Sequence, residues 1–265
     1  MELGLVDKVV LVTGGSGSIG AAMAEAFAAE GARVALTFRN NAGRAEELAR
    51  AIGDRGGRAL VVKYDLTDPA AIRSAVGTVI DEWGRLDVLV LSASAQDGTR
   101  TTPVPFEDIP PEEWSPLLRA DVEGTFHTVQ AALPAMRRQG WGRIVLISAN
   151  IVTRGATGDE AFVSSKMALH GLGRTLATEL AGDGILVNVV APGATVSRGF
   201  LRRFPEERQA SFAGLDDTQI KRMLNQDRPV GKVSTPADVA NTVLFLASEA
   251  NGNVSGQVIH VAGGH

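Results

Sequence analysis

The stretch Thr13-Gly14-Gly15-Ser16-Gly17-Ser18-Ile19-Gly20 has the make-up of an anion cradle. Glycines let the backbone come close to a pyrophosphate, and a helix opening directly after them offers unpaired N–H groups and the positive end of its dipole. The alternative is a tight turn without a ligand, so the motif counts only where a strand precedes it and a helix follows. Further on, Phe38-Arg39-Asn40 puts an arginine at the end of the next apolar run. An acidic side chain there would bind a ribose 2′-hydroxyl, whereas an arginine accommodates a 2′-phosphate. Arg39 therefore favours NADP(H) over NAD(H), unless it is a solvated turn residue. Four carboxyl groups, Asp97, Asp121, Asp159 and Glu160, are candidate proton donors. A carboxyl in an apolar pocket has its pKa raised towards neutrality, although carboxylates at a helix start also arise because they suit the dipole.

Composition removes other chemistries. The 265 residues include no cysteine, which excludes thiol catalysis, disulfides and thiolate metal sites, and makes a reducing cytoplasm the expected compartment. His127, His170, His260 and His265 are scattered without ligand spacing, so no metal site is predicted. A net charge of −4 argues against nucleic acid as a partner. No apolar run reaches the roughly 18 residues of a membrane span, and the start of the chain lacks the basic, then apolar, pattern of a secretory signal.

The elements that must position these groups follow from apolar runs and punctuation. Strands are predicted at 8–13, 33–38, 59–63, 86–91, 143–148, 185–190 and 257–261, each a short run of the kind buried on both faces of a parallel sheet. Helices are predicted at 21–30, stopped by Gly31, and at 41–52, ended by Gly53. A third starts after a Thr67 or Asp68 cap with Pro69 just inside. One long helix is expected over 111–138, another carries Lys166 to about 180, and a last one spans 236–248 behind a Ser234 or Thr235 cap. The alternation specifies an α/β, Rossmann-like, doubly wound parallel sheet of about seven strands with helices on both faces, in a single domain. The polar segment 92–110 falls where the strand order should reverse, the usual ligand crevice of such sheets. A polar segment, 194–228, reads as a lid over the substrate; Phe200, Leu201, Phe204, Phe212 and Met223 would line an apolar pocket or pack the lid down.

With these motifs in their places, the chain resembles the short-chain dehydrogenase/reductase family from about residue 5 to 264. Its glycine spacing, Gly14, Gly17 and Gly20, is that of the extended and atypical members, with Ser18 where the commonest loop has glycine. The resemblance implies cofactor contacts from Thr13, Gly14, Ser16, Gly17, Ser18, Ile19 and Gly20, from the Asp65-Leu66 pair beside the adenine, and from Ser92 and Ala93 after strand four. It implies further contacts from Lys166, from Pro192 and Gly193 in the turn after strand six, and from Ser197 at the carboxamide. It also implies a homodimer or homotetramer acting on a small molecule; the pocket reading of the lid's apolar residues would make that molecule lipophilic.

The catalytic positions depart from the family. Its proton-passing tyrosine falls on Phe162, its carbonyl-positioning serine on Ala149, and its helix asparagine on Asp121; its lysine is kept as Lys166. Ser148 is one residue early and is expected to face the other way, and the chain's one tyrosine, Tyr64, lies far upstream. Asp121 is read either as a catalytic group or as an ion-pair partner of Lys166. The expectation is an NADP(H)-dependent oxidoreductase, an atypical reductase of a carbonyl or conjugated enone whose proton comes from a non-standard donor. The alternatives are a catalytically silent subunit that supports a partner, and a non-redox enzyme on the same fold.

Overall fold

A computed structural model describes residues 2–95, 104–195, 210, 214–225 and 229–265. Asp97, Ser197, Phe200, Leu201, Phe204 and Phe212 lie outside the described residues, as does most of the predicted lid.

Seven strands form one sheet: β1 (Val9–Thr13), β2 (Arg33–Phe38), β3 (Arg58–Lys63), β4 (Val88–Leu91), β5 (Gly142–Ile147), β6 (Ile185–Pro192) and β7 (Val258–Val261). Their order is β3-β2-β1-β4-β5-β6-β7, and every neighbouring pair is parallel. The strand order reverses between β1 and β4, so a crevice opens at the carboxyl ends of those two strands.

Alternation along the strands builds two apolar layers. On β1, Val9 and Leu11 join a layer with Val76, Val129, Met136 and Leu180, while Val10 and Val12 face the other way, towards Met23, Phe27 and Val243. The helices α1 (Ser18–Ala29), α2 (Ala42–Asp54), α3 (Pro69–Trp83), α4 (Pro111–Leu118), α5 (Gly124–Gln139), α6 (Glu160–Leu180), α7 (Asp217–Asn225) and α8 (Pro236–Ala247) cover the two faces. Among the described residues, no helix is long and apolar enough to cross a membrane.

Helix ends follow the local chemistry, with two corrections. Asp68 caps α3 by accepting from the Ala70 N–H, and Thr235 with Asp238 forms a reciprocal capping box on α8. Gly53 does not end α2: the helix runs on to Asp54 and closes at Gly56, whose φ is 82°. A Cβ at Gly53 would touch nothing, so this glycine sits in an ordinary helical turn. The predicted single helix over 111–138 is instead two, α4 and α5, joined by a π-helical turn at Arg119–Glu123. Pro116 gives no N–H to the ladder just before that turn. The widened turn carries Asp121 inwards, where it is 1% exposed.

Candidate active site

The glycine loop is built by close approach. Gly14 has a φ of 66°, and a Cβ on it would sit 3.0 Å from the backbone of Ala93. A Cβ on Gly20 would overlap the Gly14 carbonyl, so only glycine lets α1 begin this close to the loop. The Gly14 N–H donates to the Thr37 hydroxyl at 3.0 Å, which fastens the loop to β2. Gly17 stands at the N-cap of α1 with no side-chain cap, unlike α2, α3 and α8, whose first turns are closed by Asn41, Asp68 and Thr235. The N–H groups of Ser18, Ile19 and Gly20 thus open the helix without a competing side chain, as an anion site requires.

Seven of the residues assigned to the cofactor from sequence, Gly14, Ser16, Gly17, Arg39, Leu66, Ser92 and Ala93, line one cleft of about 320 Å³. Among the described residues of that lining, Arg39 is the charged one. Thr13 is corrected: it is fully buried, its hydroxyl donating to the Val90 carbonyl and accepting from the Ser92 and Ala93 N–H groups at 3.0 and 3.1 Å. It shapes the exit of β4 rather than facing the cleft. Asp65 likewise stands beside the cleft and turns to Thr67, accepting from its N–H at 2.9 Å and its hydroxyl at 2.7 Å. Those bonds, with a smaller contribution from Arg39, hold the Asp65 carboxyl below its usual range. Ser18, Ile19 and Gly20 form the helix start, while Pro192 and Gly193 end β6, with the Gly193 N–H bonded to Val261 at 2.8 Å. Thr37, Phe38, Tyr64, Ser94 and Ala95 complete the lining and were not among the residues assigned to the cofactor from sequence. For Thr37 the signal is its place as a polar residue directly after the apolar run Val34–Leu36.

Below the cleft mouth lies the second cluster. The Lys166 ammonium is 3.1 Å from Oδ2 of Asp121, with side-chain exposures of 6% and 1%. Oδ2 also accepts from the Ser94 hydroxyl at 2.7 Å, and Oδ1 accepts from the Ala95 N–H at 2.8 Å. The Ser165 hydroxyl is 3.5 Å from the same carboxylate and closer, at 3.0 Å, to the Phe162 carbonyl. One carboxylate therefore ties α6, the π-helical turn and the loop after β4 together. The Phe162 ring is buried, and the Lys166 ammonium stands 5.8 Å from its centroid, within cation–π reach.

The other candidates are elsewhere. Ser148 is turned beneath α6, where its hydroxyl donates to the Lys166 carbonyl at 2.9 Å and pairs with Nε2 of His170 at 2.9 Å. Ala149, next along, presents only a methyl. Glu160 accepts from the Gly158 N–H in the first turn of α6, beside Asp159. His127 packs edge-on against Phe126. Tyr64 does not stand in for a missing phenol: its hydroxyl is bonded to Thr128 at 2.7 Å, and burial pushes its pKa far up. Among the described residues, no cluster of three potential metal ligands is present.

Comparison with known proteins agrees with this architecture. A family model described as enoyl-(acyl carrier protein) reductase matches residues 14–265. The short-chain reductase protein NovJ of Streptomyces niveus is 35% identical over 97% of this chain and 94% of its own. The 3-oxoacyl-[acyl-carrier-protein] reductase FabG of Aquifex aeolicus is 34% identical over 100% and 99%. Among solved structures, a dehydrogenase/reductase from Sinorhizobium meliloti superposes with a TM-score of 0.83 at 31% identity, covering 99% of this chain and 96% of that one. An NAD+-bound xylitol dehydrogenase superposes with a TM-score of 0.85 at 26% identity, covering 100% of both.

Proposed function

Since this chain belongs to the short-chain dehydrogenase/reductase family, we propose that it is an NADP(H)-dependent reductase of a carbonyl or conjugated enone that takes its proton from a non-standard donor. The observation that carries the cofactor choice is the cleft itself. Arg39 is the charged residue among the described residues of its lining, and a 2′-phosphate beside the guanidinium would be paired, where an acidic residue would repel it. The rest of the cleft fits a dinucleotide: the uncapped start of α1 suits an anion, and Gly14 and Gly20 leave room that a Cβ would fill. The bound cofactor supplies the hydride.

This chain's own residues then have limited roles. Lys166 binds the ribose and is held in place by Asp121. Phe162 and Ala149 line the reacting position with hydrocarbon. Neither can give a proton to a developing alkoxide. That favours an acceptor whose charge is delocalised after hydride addition, such as an enone, with the proton following from water. One domain carries the whole activity in this reading, as a cytoplasmic homodimer or homotetramer. The exposed Trp114, Phe126 and Met167 on α4, α5 and α6 are what subunit contact would cover.

A specific observation supports a second reading. The same two hydrocarbon side chains, with Lys166 already paired, suit a silent subunit that steadies a catalytic partner. Steady NADPH consumption with any member of a broad carbonyl and enone panel supports the reductase; no consumption with the isolated chain, restored only by a co-purifying relative, supports the silent subunit.

A further inference from the structure

We infer that Asp121 is a built-in counter-charge that takes Lys166 out of proton transfer, so that the changes at 121 and 162 act as one unit. This rests on the assignment of position 162 as the proton-donor position in the proposed function, but not on cofactor binding or turnover.

The physical argument starts from the two roles a buried ammonium can play. Beside a phenol, an unpaired ammonium favours the phenolate and so makes the phenol a stronger acid. Here the phenol is absent. A buried ammonium facing only a benzene ring would be left without a counter-ion, a costly arrangement. Asp121 supplies that counter-ion at 3.1 Å, and the Phe162 ring is left facing a dipole instead of a net charge. The carboxylate is not free to turn away, because Ser94 and Ala95 hold both of its oxygens from the loop after β4. The π-helical turn at Arg119–Glu123 fixes its backbone. The pair is thus a fixed feature of the site rather than a chance contact between mobile side chains.

The consequence is that restoring a phenol and a hydroxyl at 162 and 149 is not enough to rebuild an ordinary proton relay. The lysine's field at position 162 is cancelled as long as Asp121 is present. Asp159 and Glu160, which precede Phe162 at the helix start, and His170, one turn beyond Lys166, also carry or can carry charge. They are unchanged in every variant below and drop out of the comparison.

The test is a spectrophotometric titration of the phenol introduced by Phe162→Tyr, each variant read against its counterpart that keeps Phe162, so that Tyr64, whose value the Asp121 charge helps to raise, cancels. Tyr64 is the sole native tyrosine and its phenol titrates far above the usual value. In the single variant the midpoint is expected at or above the ordinary value of about 10. In Phe162→Tyr with Asp121→Asn it should fall by about two pH units, as the unscreened ammonium acts on the phenol. A single-variant midpoint already well below the ordinary value and unmoved by Asp121→Asn overturns the inference. If that double variant does not fold, the triple variant that adds Lys166→Gln replaces the pair by neutral side chains of similar shape. A midpoint equal to that of Phe162→Tyr alone supports cancellation. A midpoint more than about one pH unit higher shows that Lys166 was still acting, and contradicts it. None of these readings depends on nucleotide binding, so they stand or fall separately from the cofactor assignment.

Discussion

The Asp121 carboxylate and the Lys166 ammonium meet at 3.1 Å, both all but closed to solvent, at the point where the loop after β4, the π-helical turn and α6 converge. A buried pair of this kind is weak evidence for stability as a whole, yet breaking it is expensive because the remaining charge has no partner.

Asp121→Asn should therefore destabilise the protein by about 3–5 kcal/mol, and Asp121→Asn with Lys166→Gln by clearly less. Urea unfolding of the wild type, the single and the double variant measures both. Equal loss in the two variants would mean that the carboxylate acts through Ser94 and Ala95 and not through the lysine.

Gly20→Ala should fold but lose nucleotide. The added methyl overlaps the Gly14 carbonyl, and relieving the clash moves the helix start away from the loop it faces. Overpacking of this sort costs about 1–3 kcal/mol, so a drop of at least tenfold in cofactor affinity is expected with little change in the far-ultraviolet spectrum. Calorimetry of the variant against the wild type reads it.

His170 gives the protein a pH dependence. Burial first, then the nearby His260 and Arg174, hold its imidazole below the usual histidine value. The unfolded chain then binds a proton that the folded one refuses. Stability contributed by the neutral imidazole is complete above the unfolded value of about 6.5 and is lost as pH falls below it. His170→Gln keeps a donor for Ser148 and removes the titration. Denaturant midpoints recorded from neutral to acidic pH should slope less in the variant, and parallel slopes would show that other groups dominate.

The sequence foretold the sheet well because all seven strands are short apolar runs between clear stop signals, and such runs have few other uses in an α/β chain. The glycine loop was equally legible, since its spacing means little except between a strand and a helix. The π-helical turn was not. Neither Gly nor Pro lies within Arg119–Glu123, so no breaker residue marks the widened turn that separates the two helices. Thr13 and Thr37 show a similar limit. Both stand in or near the glycine loop, but whether a hydroxyl faces a ligand or the backbone of the next strand depends on packing, and in both it is bonded to backbone. The Asp121–Lys166 pair lay within reach of sequence reading as one of two alternatives; the bonds from Ser94 and Ala95, which make it rigid, came only with the fold.

The account rests most heavily on the cofactor, and a calorimetric titration with NADPH and NADH in parallel, on the wild type and on Arg39→Ala, tests it most directly. Binding is expected for both nucleotides, tighter for NADPH by about tenfold or more, with that preference lost in the variant while NADH affinity is little changed. No binding of either nucleotide, or a preference for NADH that Arg39→Ala leaves unaltered, would contradict it.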